Sequence, residues 1–353
     1  MQEGRKLSRL SKRPARAGRL LLSGEALSDD AQQRLATLQT PRDWFRYAIS
    51  RFRAARLAFG HGATNAGDEA AFLILEALNL PIDNLDPFAD AHLLPDERRR
   101  LDALIEARVT SRKPAAYLLN RTYIQGVPFY VDERVIVPRS FIGELLFGGL
   151  VGEGGLIETP EAVESVLDLC TGGGSLAVLA ARIFPNARID AVDLSSDALA
   201  VARRNVEEHE LADRVTLFEG DLFAPLEGRA YDLILTNPPY VATAAVAAFP
   251  PEYAAEPTLA HDGGKDGLDL VRRIVGAARA HLNPEGVLIC EIGQGRPAFE
   301  TTFPALDAMW LDTRESESEV FFARAVDLPA ARATPGRAAA APRPASRPRP
   351  RRR

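Results

Sequence analysis

The sequence predicts an α/β protein built on a mostly parallel sheet, and three observations carry that prediction. From about Glu164 onward, apolar strand-like runs alternate with helical stretches, and repeated β-α-β units form a parallel sheet covered on both faces. The first of these strands runs into Thr171-Gly172-Gly173-Gly174-Ser175, and the next two end in the acids Asp193 and Asp221. The fourth ends in Asn237-Pro238-Pro239-Tyr240. All four features then fall on the carboxyl edge of one sheet, where such folds bind ligands.

Taken in order, residues 1–39 are expected to form a disordered basic leader. Residues 40–112 read as a small helical domain, because Trp44, Phe45, Ala48, Phe52 and Ala55, then Ala70, Leu73, Leu75 and Leu78, recur at helical spacing. Leu80-Pro81 ends one helix there, and Pro95-Asp96-Glu97 starts another with acid in its first turn. Between 113 and 145 the period drops to two, and Tyr117–Leu119, Arg121–Ile124 and Pro128–Val131 read as short strands of a hairpin connector around Gly126. The connector leads through Val137-Pro138-Arg139-Ser140 into a helix.

The main domain, 146–327, has six strand candidates: 166–170, 188–194, 215–221, 231–237, 286–292 and 319–325. Its helices are expected near 175–183, 196–209 and 267–281. Residues 328–353 are rich in Arg, Pro and Ala, with little to bury, and are expected to be disordered.

Composition excludes several functions. At 46% apolar and 26% charged residues, the chain has the make-up of a soluble globular protein, and it has no apolar run long enough to span a membrane. The net charge of −5 conceals basic ends: residues 1–20 carry seven Lys or Arg against one Glu, and 329–353 carry eight Arg and no acid. The body between is therefore acidic, which argues against a surface that wraps duplex DNA. The basic ends could make weak contact with RNA. Two cysteines far apart, Cys170 and Cys290, suit a reducing, cytoplasmic setting and give no disulfide framework. The five histidines show no metal-ligand spacing, so no metal is expected.

The chemistry concentrates at the four strand ends. In Asn-Pro-Pro neither proline donates a backbone N–H, and each holds the preceding residue extended. This makes a rigid corner with free carbonyls and a fixed carboxamide, able to accept the N–H hydrogens of a planar amide or amine. The glycine cluster lacks both the G-x-G-x-x-G spacing and the lysine of a phosphate loop, which disfavours dinucleotides and nucleoside triphosphates. Asp193 stands where a doubly wound sheet binds ribose hydroxyls. Asp221 could accept from an exocyclic amine, with Leu222 covering an adenine face.

On these residues the chain resembles the class I methyltransferases that use S-adenosyl-L-methionine and release S-adenosyl-L-homocysteine. Asn-Pro-Pro-Tyr in this setting marks their amino-methylating members. Upstream, Ser50-Arg51-Phe52, Gly60-His61-Gly62, Asn65 to Ala70, Phe129 to Val135 and Val137-Pro138-Arg139-Ser140 resemble the protein glutamine methyltransferases acting on ribosomal protein L-three. Pro251-Glu252-Tyr253, Glu256-Pro257 and Asp266-Gly267-Leu268 fit as well.

The resemblance implies a Rossmann-like sheet of seven strands with the last antiparallel, and a helical domain that docks the protein substrate, free or on assembling ribosomal particles. It places Asp168, Cys170, Thr171, Gly172, Gly173, Gly174, Asp193, Leu194, Asp221, Leu222 and Asn237 around the cofactor. It gives Asn237, Pro238, Pro239 and Tyr240 to the glutamine amide: Asn237 and the Pro238 carbonyl accept its hydrogens, and Tyr240 walls the slot. Release-factor glutamine methyltransferases, which typically carry Pro-Arg-Pro-x-Thr-Glu where this chain has Pro138 to Glu144, are the alternative. Adenine-N6 methyltransferases of nucleic acid, and a non-catalytic assembly factor, are more distant readings.

Overall fold

The computed structural model describes residues 28–330, so the leader before 28 and the tail after 330 lie outside the described residues. The helical part begins earlier than expected. Helix α1 (Asp29–Thr37) falls inside the expected leader; Ser28 caps it, and Arg34 pairs with Asp102 at 2.5 Å. Helix α2 (Pro41–Ala54) starts with a Thr40/Asp43 capping box and Pro41 in its first turn. Helix α3 (Ala66–Ala77) is capped by Asn65, and α4 (Pro95–Ser111) again begins on proline. Trp44, Phe52, Leu73, Ile74, Leu101 and Ile105 form their common core.

The connector corrects one expectation. Tyr117–Leu119 is not strand but part of helix α5 (Ala115–Leu119). Three residues are too short for a period to separate helix from strand. The Tyr117 hydroxyl donates to the Val135 carbonyl at 2.5 Å, which ties the turn down. Strands β1 (Thr122–Ile124) and β2 (Val127–Phe129) then pair antiparallel through Gln125-Gly126, both at positive φ, as a two-residue hairpin turn needs. Helix α6 (Phe141–Phe147), capped by Ser140, follows.

The main sheet contains β3 (Ser165–Leu169), β4 (Arg188–Asp193), β5 (Val215–Glu219), β6 (Tyr231–Thr236), β7 (Leu282–Glu291), β8 (Met309–Leu311) and β9 (Val320–Arg324). Their order is β5-β4-β3-β6-β7-β9-β8. Only β9 runs against the rest, pairing antiparallel with both β7 and β8. The sheet is thus seven-stranded with its last strand reversed. Strand β8 had no sequence candidate, since its three residues, mostly part-exposed, show no alternation.

Helices α7 (Ser175–Ile183), α8 (Ser196–Glu208), α9 (Thr243–Val246), α10 (Asp269–Ala278) and α11 (Arg296–Thr302) join the strands. Side chains of β6 alternate between two apolar layers: Leu233 and Leu235 pack in the layer with α7, and Ile234 in the layer with α10. Leu328, expected in the tail, is buried in the second layer. Strand order reverses between β3 and β6, which opens a crevice at their carboxyl ends. Among the described residues no helix is long and apolar enough to cross a membrane.

Candidate active site

A cavity of about 440 Å³ occupies that crevice, within the size range of small-molecule sites. Of the residues singled out from sequence, Cys170, Gly172, Asp193, Leu194, Asp221, Leu222, Asn237 and Pro239 line it. Asp168, Thr171, Gly173, Gly174, Pro238 and Tyr240 do not, and each has another place in the fold.

Asp168 is fully buried on β3, where its carboxylate accepts from the Thr171 hydroxyl at 2.6 Å and from the Ala177 N–H at 2.9 Å. Through Oδ2 it fastens the glycine turn to the start of α7, while Oδ1 is buried with no hydrogen-bond partner among the described residues. Burial pushes its carboxyl up to about 7, against the pull of those two donors. Asn205 of α8 donates to the Gly173 carbonyl at 2.7 Å. A Cβ on Gly174 would lie 3.1 Å from the Ala202 Cβ, so that glycine lets α7 and α8 approach closely.

Asp193 ends β4 at the cavity wall. Its two oxygens accept from the backbone N–H of Gly172 at 2.8 Å and of Ser195 at 2.9 Å. Burial raises its pKa, and the backbone donors hold that rise in check. With a third backbone donor at Leu194, the carboxylate still keeps lone-pair capacity for a hydroxyl. Asp221 is half-exposed and pairs at 2.8 Å with Arg273 of α10, which also lines the cavity. That partner was missed from sequence, because one arginine on an amphipathic helix carries no local signal of a cavity.

Asn237 follows β6 directly, half-buried and facing the cavity. Among the described residues its carboxamide makes no side-chain hydrogen bond. The loop behind it is held by the segment 261–267: Val241 N–H donates to His261, Gly263 N–H to Val241, and Thr243 N–H to Gly264, each at 2.9 Å. Tyr240 does not wall the cavity. Its hydroxyl donates to Glu291 at 3.0 Å, and burial, with the Glu291 carboxylate beside it, pushes the phenol well above its ordinary value.

Gly267 backs this loop at φ +80, where an added Cβ would collide with the Tyr240 carbonyl oxygen. Gly267→Ala is expected to lower kcat by at least about tenfold, through displacement of the loop and strain at positive φ. Steady-state kinetics at saturating cofactor checks this; wild-type turnover would show that the loop tolerates the shift.

The outer wall also went unread as a site. It comes from Arg134–Ile136 of the connector and from Pro257, Leu259, Ala260 and Asp262–Gly264. Glu256, just before that stretch, is buried. It accepts from Val137 N–H at 2.9 Å and from both terminal nitrogens of Arg139 at 2.8 and 2.9 Å.

A family model described as "Methyltransferase small domain" matches residues 155–249. A protein of Bradyrhizobium diazoefficiens named ribosomal protein uL3 glutamine methyltransferase is 57% identical over 317 residues, covering 89% of this chain and 99% of its own length. A Bordetella pertussis protein of the same name is 56% identical, covering 80% of this chain and 94% of its own. A Burkholderia pseudomallei protein, again so named, is 52% identical, covering 83% and 96%. The chain belongs to the ribosomal protein uL3 glutamine methyltransferase family.

Membership makes it a methyltransferase that draws on S-adenosyl-L-methionine. The cavity's own acceptors and apolar side chains fit that group. Asp193 offers acceptors for hydroxyls, Asp221 offers a carboxylate beside the buried Leu222, and Leu194 presents an exposed apolar side chain.

Proposed function

We propose that this chain transfers a methyl group from S-adenosyl-L-methionine to the side-chain amide nitrogen of a glutamine in ribosomal protein uL3. The observation that carries this is the Asn237 carboxamide, which faces the cavity with no hydrogen-bond partner among the described residues. A half-buried amide left without a partner is suited to a planar polar group from outside. The family supports uL3 as the substrate.

An amide nitrogen is a poor nucleophile, because its lone pair is delocalised into the carbonyl. When bound, the cofactor supplies an activated sulfonium methyl. The chain's own task is placement. Asn237 Oδ1 and the Pro238 carbonyl would accept the two amide hydrogens, which turns the nitrogen lone pair toward the donor and stabilises positive charge as it grows, and one of those hydrogens would then leave as a proton to solvent. Pro238 is buried outside the lining, so it acts only through that carbonyl. Asp193 and Asp221, with Leu194 and Leu222, would hold the cofactor, and the glycine turn would shape its wall. The helical part at 40–112 would dock the protein substrate. The basic ends would contact RNA on assembling particles.

Mass spectrometry of uL3 after incubation with the purified chain and cofactor tests the proposal. One added methyl on a single glutamine is expected, on an exposed loop from which an amide can reach inward. Methylation of a release-factor glutamine with uL3 untouched would move the substrate to the alternative, and transfer to adenine alone would overturn the class. For the cofactor site, Asp193→Ala is expected to weaken binding by about 1–3 kcal/mol through lost charge-assisted hydrogen bonds. Unchanged affinity by calorimetry in a folded variant would remove Asp193 from the site.

A further inference from the structure

Glu291 is the last residue of β7 and is almost fully buried. Strands β6 and β7 run parallel with Thr236 opposite Cys290, so Glu291 follows Cys290 as Asn237 follows Thr236. Three groups from two other segments converge on its carboxylate. The Ser140 hydroxyl donates to Oε2 at 2.6 Å and the Phe141 N–H to the same oxygen at 2.9 Å, while the Tyr240 hydroxyl donates to Oε1 at 3.0 Å. Among the described residues it makes no ion pair, so hydrogen bonds alone offset the cost of burying the group.

We infer that Glu291 is the positioning residue of the Asn-Pro-Pro-Tyr loop, fixing the Asn237 carboxamide through the Tyr240 hydroxyl. The inference rests on the amide-binding role proposed above for Asn237. Pro238 and Pro239 have φ locked by their rings. With two stiff residues between them, an anchor at Tyr240 restricts Asn237 more than it would across ordinary residues. Tyr240 is anchored twice. Its hydroxyl is held by Glu291, and its ring lies against Gly293, where an added Cβ would come within 2.6 Å of Cε2. Through Ser140 and Phe141 the same carboxylate holds the start of α6, just after the connector residues Arg134–Ile136 that line the cavity. Tyr240 is then an anchor and not a wall, and Glu291 reaches the substrate amide only through it.

Three single variants and one double variant test this. Y240F is expected to lower kcat about tenfold, with cofactor affinity and the KM for the protein substrate within about twofold of wild type. E291L is expected to match it, and the double variant to be no slower than the worse single, because both remove one tie. E291Q is expected to stay within about threefold of wild type, since its carbonyl can accept from Ser140 and Phe141 while its amide donates to the Tyr240 oxygen.

Amide hydrogen exchange on the cofactor-free protein reads the same tie without turnover: Tyr240 and Val241 should exchange faster in Y240F and E291L, and at the wild-type rate in E291Q. If E291L does not fold, Y240F and E291Q still decide. Wild-type kcat and exchange in Y240F, single-variant losses that multiply in full, or an E291Q as slow as Y240F would each overturn the inference. A wild-type chain that methylates no glutamine would defeat the proposed function instead, and the exchange rates would still judge the anchor.

Discussion

Asn237→Ala is expected to cut kcat by about a hundredfold, the loss typical when one fixed electrostatic partner of a developing charge is removed, while cofactor affinity changes little. The separation follows from what the side chain touches. The carboxamide faces the cavity and has no side-chain hydrogen bond among the described residues. Truncation therefore leaves no protein group unpaired, and stability should stay within about 0.5 kcal/mol of wild type. Of the cofactor's expected contacts, the carboxylates of Asp193 and Asp221 and the side chains of Leu194 and Leu222 lie at the ends of β4 and β5, on the far side of β3 from β6 in the sheet order. Single-turnover kinetics with uL3, beside calorimetry for the cofactor, checks both halves. Equal turnover would remove Asn237 from the amide slot, and an equal loss in cofactor affinity would show that the residue serves the other ligand.

The carboxyl edge of the sheet was legible because each part of it is local. A glycine run, an acid closing a strand and an Asn-Pro-Pro corner each declare themselves within a few residues. The elements that failed were those too short to show a period: Tyr117–Leu119, read as strand but helical, and Met309–Leu311, not read at all. Helix α1 was hidden for a different reason. It adjoins a low-apolar basic stretch, and what holds it is a tertiary pairing, Arg34 with Asp102, that no local pattern announces.

The same limit governs the site. Asp168 sits beside the glycines, yet it lies outside the cavity lining and one of its carboxylate oxygens turns to Thr171 and Ala177. Tyr240 looked like a wall because it belongs to the motif, yet its partner is Glu291, from the adjacent strand and 51 residues on. Arg273 meets Asp221 across 52 residues, and Glu256 meets Arg139 across 117. Motifs identify what chemistry is present, and the fold decides which members face the ligand and which hold the others in place.

Glu256→Ala is expected to destabilise the protein by about 3 kcal/mol at neutral pH, the lower end of the cost of stripping one partner from a buried ion pair, since Arg139 keeps some contact with solvent. The substitution leaves the Val137 N–H without its acceptor and the Arg139 guanidinium with only the Val137 carbonyl. It also removes the carboxylate 3.0 Å from His261 Nε2 and 3.6 Å from His61 Nε2. The loss should carry a pH signature. Burial alone would raise the Glu256 carboxyl, but the hydrogen bonds from His261 and Arg139 and the Arg139 charge outweigh it and hold the group well below the usual carboxylate range.

Between the ordinary and the folded value, the unfolded chain binds the proton and the folded chain does not. Stability from Glu256 is therefore complete above the ordinary carboxylate value and drains away as pH falls below it. His61, which burial pushes down to about 4, adds its own acid loss between the ordinary imidazole value and that point. Between those values the loss is the same in both proteins; below about 4 it continues in Glu256→Ala, where the Glu256 charge that holds His61 up is gone, so a narrowing that starts near the ordinary glutamate value reports Glu256 against that trend. Denaturant unfolding of wild type and Glu256→Ala at pH 7 and in acid should show the gap narrowing once the pH passes below about 4.5, the ordinary glutamate value. Because Pro257, Leu259 and Ala260 of the cavity wall follow directly on Glu256, turnover at neutral pH should fall with stability. A gap that holds constant into acid would assign the loss to packing and leave the buried charge without a part in holding that wall.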